Sequence, residues 1–170
     1  MIAAGLALGL SSASLANAQL PVIETIGIDH VGINVPDADA AVSFFTEVLG
    51  AKVILNDRPG PVGQPWKHRF RWHPTSVNTR RIMLQEPDGS QIELFEFAGS
   101  QVSHAQPHDD DAAATHIAVR VKNLDASLAV IRQRGLTILN EPVTLSDGTR
   151  WFYFLTPWGS QIELVSPPSR

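Results

Sequence analysis

A chain of 170 residues, 44% hydrophobic and 18% charged, has the composition of a folded domain, with one core or two small halves sharing one. Its net charge of −4 at pH 7 provides no polycationic surface, which excludes nucleic acid as a partner. There is no cysteine, so disulfides, thiolate metal sites and a cysteine nucleophile are excluded, and any metal must be held by His, Asp, Glu or water.

Residues 1–18 differ from the rest. Ile2 to Leu10 is an apolar run without a charge, Ser11-Ser12-Ala13-Ser14 follows, and Ala16-Asn17-Ala18 makes a small-x-small pattern before Gln19. That order is the apolar region and cleavage site of a secretory signal peptide, too short to span a membrane. It predicts an exported protein, periplasmic or secreted, with no membrane contact in the mature form. No Lys or Arg precedes the run, and the plainer alternative is an Ala-rich tail.

Residues 25–97 read as one module. Val31, Ile33 and Val35 alternate with His30, Gly32 and Asn34, the period of a strand with one buried face. Pro36 and Asp37 open a helix whose Ala41, Phe44, Phe45, Val48 and Leu49 form an apolar stripe, and Gly50 closes it. Further strands are predicted at Ala51–Leu55, near Arg80–Gln85 and at Ser90–Phe97, with Pro87-Asp88-Gly89 turning into the last. Arg58 to Asn78 is a long insertion rich in Pro, Trp and His, a length more typical of a binding loop than of core. Its His68, Arg69, Arg71 and His73 either line an entrance or form a solvated basic loop.

Residues 98–114, with Ser, Gln, Pro and Asp109-Asp110-Asp111, read as a polar linker. The second module, 115–166, repeats the first. Ile117, Val119 and Val121 alternate with His116, Ala118 and Arg120. Asn123 or Asp125 then caps a helix with Leu124, Leu128 and Ile131 inward, ending at Gly135. Strands are predicted at Thr137–Leu139, Arg150–Leu155 and Ser160–Val165. The hexapeptide Gly-Ser-Gln-Ile-Glu-Leu stands at both 89–94 and 159–164. The fold class is therefore α+β: a domain over 25–166 built from two tandem βαβββ modules.

The duplication also repeats a His on the first strand and a Glu on the last strand of each module: His30 with Glu93, His116 with Glu163. A carboxylate inside an apolar strand is costly unless it meets water, a partner or a metal. If the modules pair about a pseudo-twofold axis, two imidazoles and two carboxylates meet, a donor set that suits one divalent ion of Zn, Ni, Co, Mn or Fe. A lone His or Glu would instead read as a hydrogen-bonded core or surface residue. It is the recurrence of both types at matching positions that points to metal.

Ile28-Asp-His-Val-Gly-Ile-Asn-Val-Pro-Asp37, Phe44-Phe45, Val48-Leu49-Gly50 and the two Pro-x-Gly-Ser-Gln-Ile-Glu-Leu segments resemble the vicinal oxygen chelate superfamily, of glyoxalase I, bleomycin resistance and extradiol dioxygenase type. The resemblance covers roughly residues 25–166 and implies that the paired βαβββ modules form a metal-binding cup. By position His30, Glu93, His116 and Glu163 match the glyoxalase I ligand sites. Extradiol dioxygenases and fosfomycin-resistance transferases leave the Glu93 position without a ligand. The resemblance thus implies a glyoxalase-like lyase or isomerase moving a proton beside a carbonyl through an enediolate, with Glu163 as base and Glu93 serving the opposite face. Arg120 is the candidate to hold an anionic substrate group, with a surface role as its alternative. A ring-cleaving dioxygenase and a non-catalytic small-molecule-binding protein remain open as other classes. So does the choice between a cup closed within one chain and one closed across a swapped homodimer.

Overall fold

The computed structural model describes residues 23–168. The apolar run 2–10 and the Ala16-Asn17-Ala18 pattern lie outside the described residues. Two four-stranded sheets account for the strands. The first takes the order β1-β4-β3-β2, from β1 (Val31–Val35), β2 (Lys52–Asp57), β3 (Val77–Gln85) and β4 (Gln91–Ala98). The second takes the order β5-β8-β7-β6, from β5 (Ile117–Arg120), β6 (Val143–Thr144), β7 (Arg150–Leu155) and β8 (Gln161–Ser166). In each sheet the first strand runs parallel to the last, and the remaining pairs are antiparallel. This is the tandem βαβββ, α+β architecture.

Helix α1 (Ala38–Phe44) starts where Asp37, extended at φ −145, accepts the Ala40 N–H on its side chain. Its first N–H, on Ala38, donates to Glu96 Oε2 at 2.8 Å, so β4 itself satisfies one of the orphan donors at the helix end. At Phe45–Leu49 the helix widens to π geometry. There the Thr46 hydroxyl donates back to Val42 O at 2.8 Å and competes with the regular ladder. Gly50, left-handed at φ 81, ends it. Of the two predicted caps for α3 (Leu124–Gln133), Asn123 is the one used: its side chain accepts from Ala126 N at 3.0 Å.

One core serves both modules. Phe44 and Phe45 of α1 meet Trp158 of the second module at centroid distances of 5.5 and 6.1 Å, and Phe44 lies 6.2 Å from Phe154. Most apolar positions predicted for the helices and last strands are in that core: Ala41, Phe44, Phe45, Ile92, Leu94, Leu124, Leu128, Ile131, Ile162 and Leu164 are buried, while Val48 and Leu49 pack against it only partly buried. Each fully buried large side chain stabilises by roughly 1.5–3 kcal/mol, which ties the modules into one folding unit.

Three expectations need correction. The predicted strand at Thr137–Leu139 is only an isolated bridge between Ile138 and Phe154. Asn140 is the reason: its side-chain oxygen accepts the Tyr153 N–H at 2.8 Å, replacing the next rung, and pairing resumes at β6 after Pro142. The insertion is shorter than predicted, because Val77 and Asn78 already belong to β3 and pair with Ala98 and Phe97. It is also not plain loop. It contains α2 (Gln64–Arg69) and folds onto the first sheet, with Trp72 edge-on to Phe97 at 4.8 Å. Gly99 permits this, since a Cβ there would stand 2.6 Å from Thr75 O. No helix among the described residues is long and apolar enough to cross a membrane.

Candidate active site

The two last strands set the geometry. In the first ladder Glu93 sits opposite Gly32 on β1 and Met83 on β3; in the second Glu163 sits opposite Ala118 on β5 and Tyr153 on β7. Ile92 and Leu94 face the helix, as do Ile162 and Leu164, so both carboxylates point to the other face. The small Gly32 and Ala118 beside them leave room on that face, although the Glu93 and Glu163 side chains are themselves only 13% and 17% exposed.

His30 and His116 each stand one residue before the strand predicted to hold them, still within reach of the Glu. His30 Nε2 is 3.1 Å from Glu93 Oε2, and His116 Nε2 is 3.4 Å from Glu163 Oε2. Asp29 contacts His30 Nδ1 at 2.6 Å, and this bond, helped by the charge of Glu93, raises the imidazole above its ordinary pKa. The Asp29 bond fixes the ring with Nε2 facing Glu93, and a carboxylate on Nδ1 is the partner that commonly orients a metal-binding His. His116 has a different companion. The Tyr153 hydroxyl lies 3.3 Å from its Nε2, and the two rings meet edge-on at 5.1 Å. Burial, then the charge of Glu163, raises the Tyr153 pKa, so its hydroxyl stays protonated as a donor.

Both pairs present one imidazole nitrogen and one carboxylate, donors that fit a divalent first-row ion. The structure brings the four predicted ligands together two and two. Among the described residues no three His, Asp or Glu side chains form one cluster. Each module thus offers half of the ligand set.

Arg120 is exposed, beside the turn that contains Asp88. Its charge, after the Ser90 hydroxyl and N–H, helps to lower the pKa of Asp88 in the turn before β4. Of the four basic insertion residues, Arg71 and His73 line a cleft between the modules and His68 and Arg69 do not. Two residues near the pairs were not singled out from sequence. Tyr153 could have been found by continuing the alternation of β7, where Phe152 and Phe154 are buried and Trp151 and Tyr153 take the Glu163 side. Arg81 lies close enough to Glu93 to feel its charge and is clamped by Asp57 at 2.6 Å. Its role depends on a β2–β3 register interrupted by an irregularity between Val53 and Leu55.

A family model for the glyoxalase/bleomycin resistance protein/dioxygenase superfamily matches residues 27–164. The chain belongs to that superfamily. A 2-epi-5-epi-valiolone epimerase from Actinomyces sp is 36% identical over 152 residues, 85% of this chain and 81% of the relative. Among solved structures, a glyoxalase family protein from Bacillus cereus superposes with a TM-score of 0.72 at 21% identity, covering 89% of this chain and 100% of that one. The fosfomycin resistance protein FosX from Listeria monocytogenes, complexed with Mn(II) and sulfate ion, gives a TM-score of 0.55 at 16% identity, covering 84% and 93% of the two chains. These structural likenesses show the superfamily fold.

Proposed function

We propose that this superfamily member is a divalent-metal-dependent isomerase that inverts a carbon beside a carbonyl in a small polyhydroxylated ketone. The observation that carries the reading is the repeated His–Glu pair, 30/93 and 116/163, at equivalent ladder positions of two modules. The 36% identity to an enzyme named as an epimerase supports inversion over the glyoxalase I reaction.

Inversion needs a proton removed from one face of the carbon and returned to the other. Two carboxylates on separate modules suit that division. Glu163 removes the proton, and the Tyr153 hydroxyl beside it is placed to hold its carboxyl group in position. Glu93, approached on one side by His30, returns a proton to the opposite face. Between the two transfers the substrate is an enediolate. His30, Glu93, His116 and Glu163 would hold the ion, whose positive charge offsets the negative charge developing on the substrate oxygens. Because one chain gathers these residues only in pairs, we further propose that a second copy brings the complementary pair, in a homodimer.

The test is solvent exchange. Metal-loaded protein in deuterated water, offered a panel of cyclic and acyclic α-hydroxyketones that includes 2-epi-5-epi-valiolone, should place one deuterium at the inverted carbon without consuming oxygen. Glu163→Gln should lower the rate by about the 10²–10⁴-fold expected for loss of a general base. Oxygen uptake coupled to ring cleavage, or no exchange with any substrate by metal-loaded protein, would reject the reading.

A further inference from the structure

We propose that the cleft between the modules takes a small molecule bearing a carboxylate or phosphate, and that Arg71 holds that anionic group. The cleft has a volume of about 960 Å³, within the range of small-ligand sites. It rests on the proposed site in one respect: Gly32 and Phe95, among its lining residues, are the ladder partner of Glu93 and its neighbour two residues along β4. The anion specificity is independent of that reaction.

Charge is the first observation. The chain has 17 acidic residues against 13 Lys and Arg, yet among the described residues the wall of the cleft contains no Asp or Glu. Its ionisable groups are Arg71, His73 and His104. Trp72, Phe95 and Phe97 provide an apolar flank, while the buried indole N–H of Trp158, on the same wall, has no partner among the described residues.

Backbone conformation is the second. Arg71 is the single non-glycine residue with positive φ among the described residues, at 58°. It follows the C-cap of α2: its N–H donates to His68 O at 3.2 Å, and Trp72 N–H donates to Lys67 O at 2.8 Å. That bond pair is a Schellman motif, whose left-handed position normally belongs to Gly because a Cβ is unfavourable there. The Arg71 side chain makes no ion pair or hydrogen bond within the described fold that would compensate. A long cation held at a glycine position, unpaired, on the wall of a carboxylate-free cleft, is placed for a ligand rather than for the fold.

The test measures binding and stability together. Cyclohexanecarboxylate, its uncharged amide and cyclohexyl phosphate are titrated against the full chain, following the emission of its four tryptophans, of which Trp72 and Trp158 line the cleft. Wild type should bind one of the two anions about tenfold or more tighter than the amide, as a charge-assisted hydrogen bond provides. The preferred anion identifies the group as carboxylate or phosphate. Arg71→Gly should lose the preference while its melting temperature stays equal or rises. Arg71→Asn, which also tolerates the left-handed conformation, should behave alike and guards against a loosened loop. Equal binding of acid and amide by wild type, retained preference in both variants, or preference lost together with melting temperature in both would overturn the proposal. Anion binding through Arg71 in a protein that fails the deuterium test would leave this inference standing and remove the reaction. Exchange without anion preference would do the reverse.

Discussion

Glu93 and Glu163 occupy the same rung in two copies of one ladder, and their cross-strand neighbours differ: Met83 beside the first, Tyr153 beside the second. A thioether gives Glu93 nothing to hydrogen-bond strongly, whereas a phenol kept protonated by burial gives Glu163 and His116 a donor. The asymmetry distinguishes two carboxylates that the duplication alone would leave equivalent. Tyr153 is a positioning residue, and Tyr153→Phe should keep the fold and the metal while lowering kcat about 10–100-fold with KM little changed, the range for one hydrogen bond to a charged group. An unchanged kcat would mean that Tyr153 only packs. The His and Glu of each pair were legible because the chain writes them twice at the same place in a strand. Tyr153 was within reach of the β7 alternation but needed the pairing with β8 to matter, and Arg71 was legible as a candidate to line an entrance while its left-handed backbone angle was not, since no residue type announces it.

At the scale of elements, the same comparison between halves identifies a weak point. The turns into β4 and β8 share their backbone bonds: Glu86 N–H donates to Ser90 O at 2.8 Å and Thr156 N–H to Ser160 O at 2.9 Å. Thr156 uses its hydroxyl to accept Ser160 N–H, but Glu86 has a buried carboxylate oxygen without a partner. Burial, and then the charge of Asp88, raises the Glu86 pKa. The folded state therefore binds this proton more tightly than the unfolded chain, and above the raised value the ionised carboxylate counts against folding. Glu86→Gln should stabilise the fold at neutral pH, read as a higher melting temperature, by less than the ~1–3 kcal/mol of a fully buried unpaired group because the side chain is only partly buried. The gain should shrink as pH falls through the folded pKa and vanish below the unfolded one; a gain that persists in acid would point to packing instead. Most elements were legible for the reason this comparison works: two copies of one pattern, each with a cap, a stripe and a stop. The exception was the strand expected at Thr137–Leu139, where a single side-chain bond from Asn140 overrides local β propensity.

At the scale of the whole molecule, the ligand set is divided between halves of a chain whose apolar surface is not all covered. Ile23, Ile26 and Ile28 are 90%, 107% and 87% exposed in the segment leading to His30, and Val53, Ile54 and Leu55 are exposed on β2. Both β1 and β5 lie at sheet edges. Exposed apolar rows and open strand edges invite a second surface, and a second copy would also bring the missing pair. If the working site joins the first module of one copy to the second module of another, it can be assembled from two defective chains. A chain with His30→Ala and Glu93→Ala has a dead first module; one with His116→Ala and Glu163→Ala has a dead second. Each alone should fold as a dimer and catalyse no exchange. Co-produced in equal amounts, about half the dimers are mixed, and by twofold symmetry each has one intact site and one with all four ligands removed, giving about a quarter of wild-type activity. Isolating mixed dimers through two different tags should raise this to about half. Inactive mixed dimers, or an active monomer at assay concentration, would place the complete site within one chain and require the two modules to close on each other.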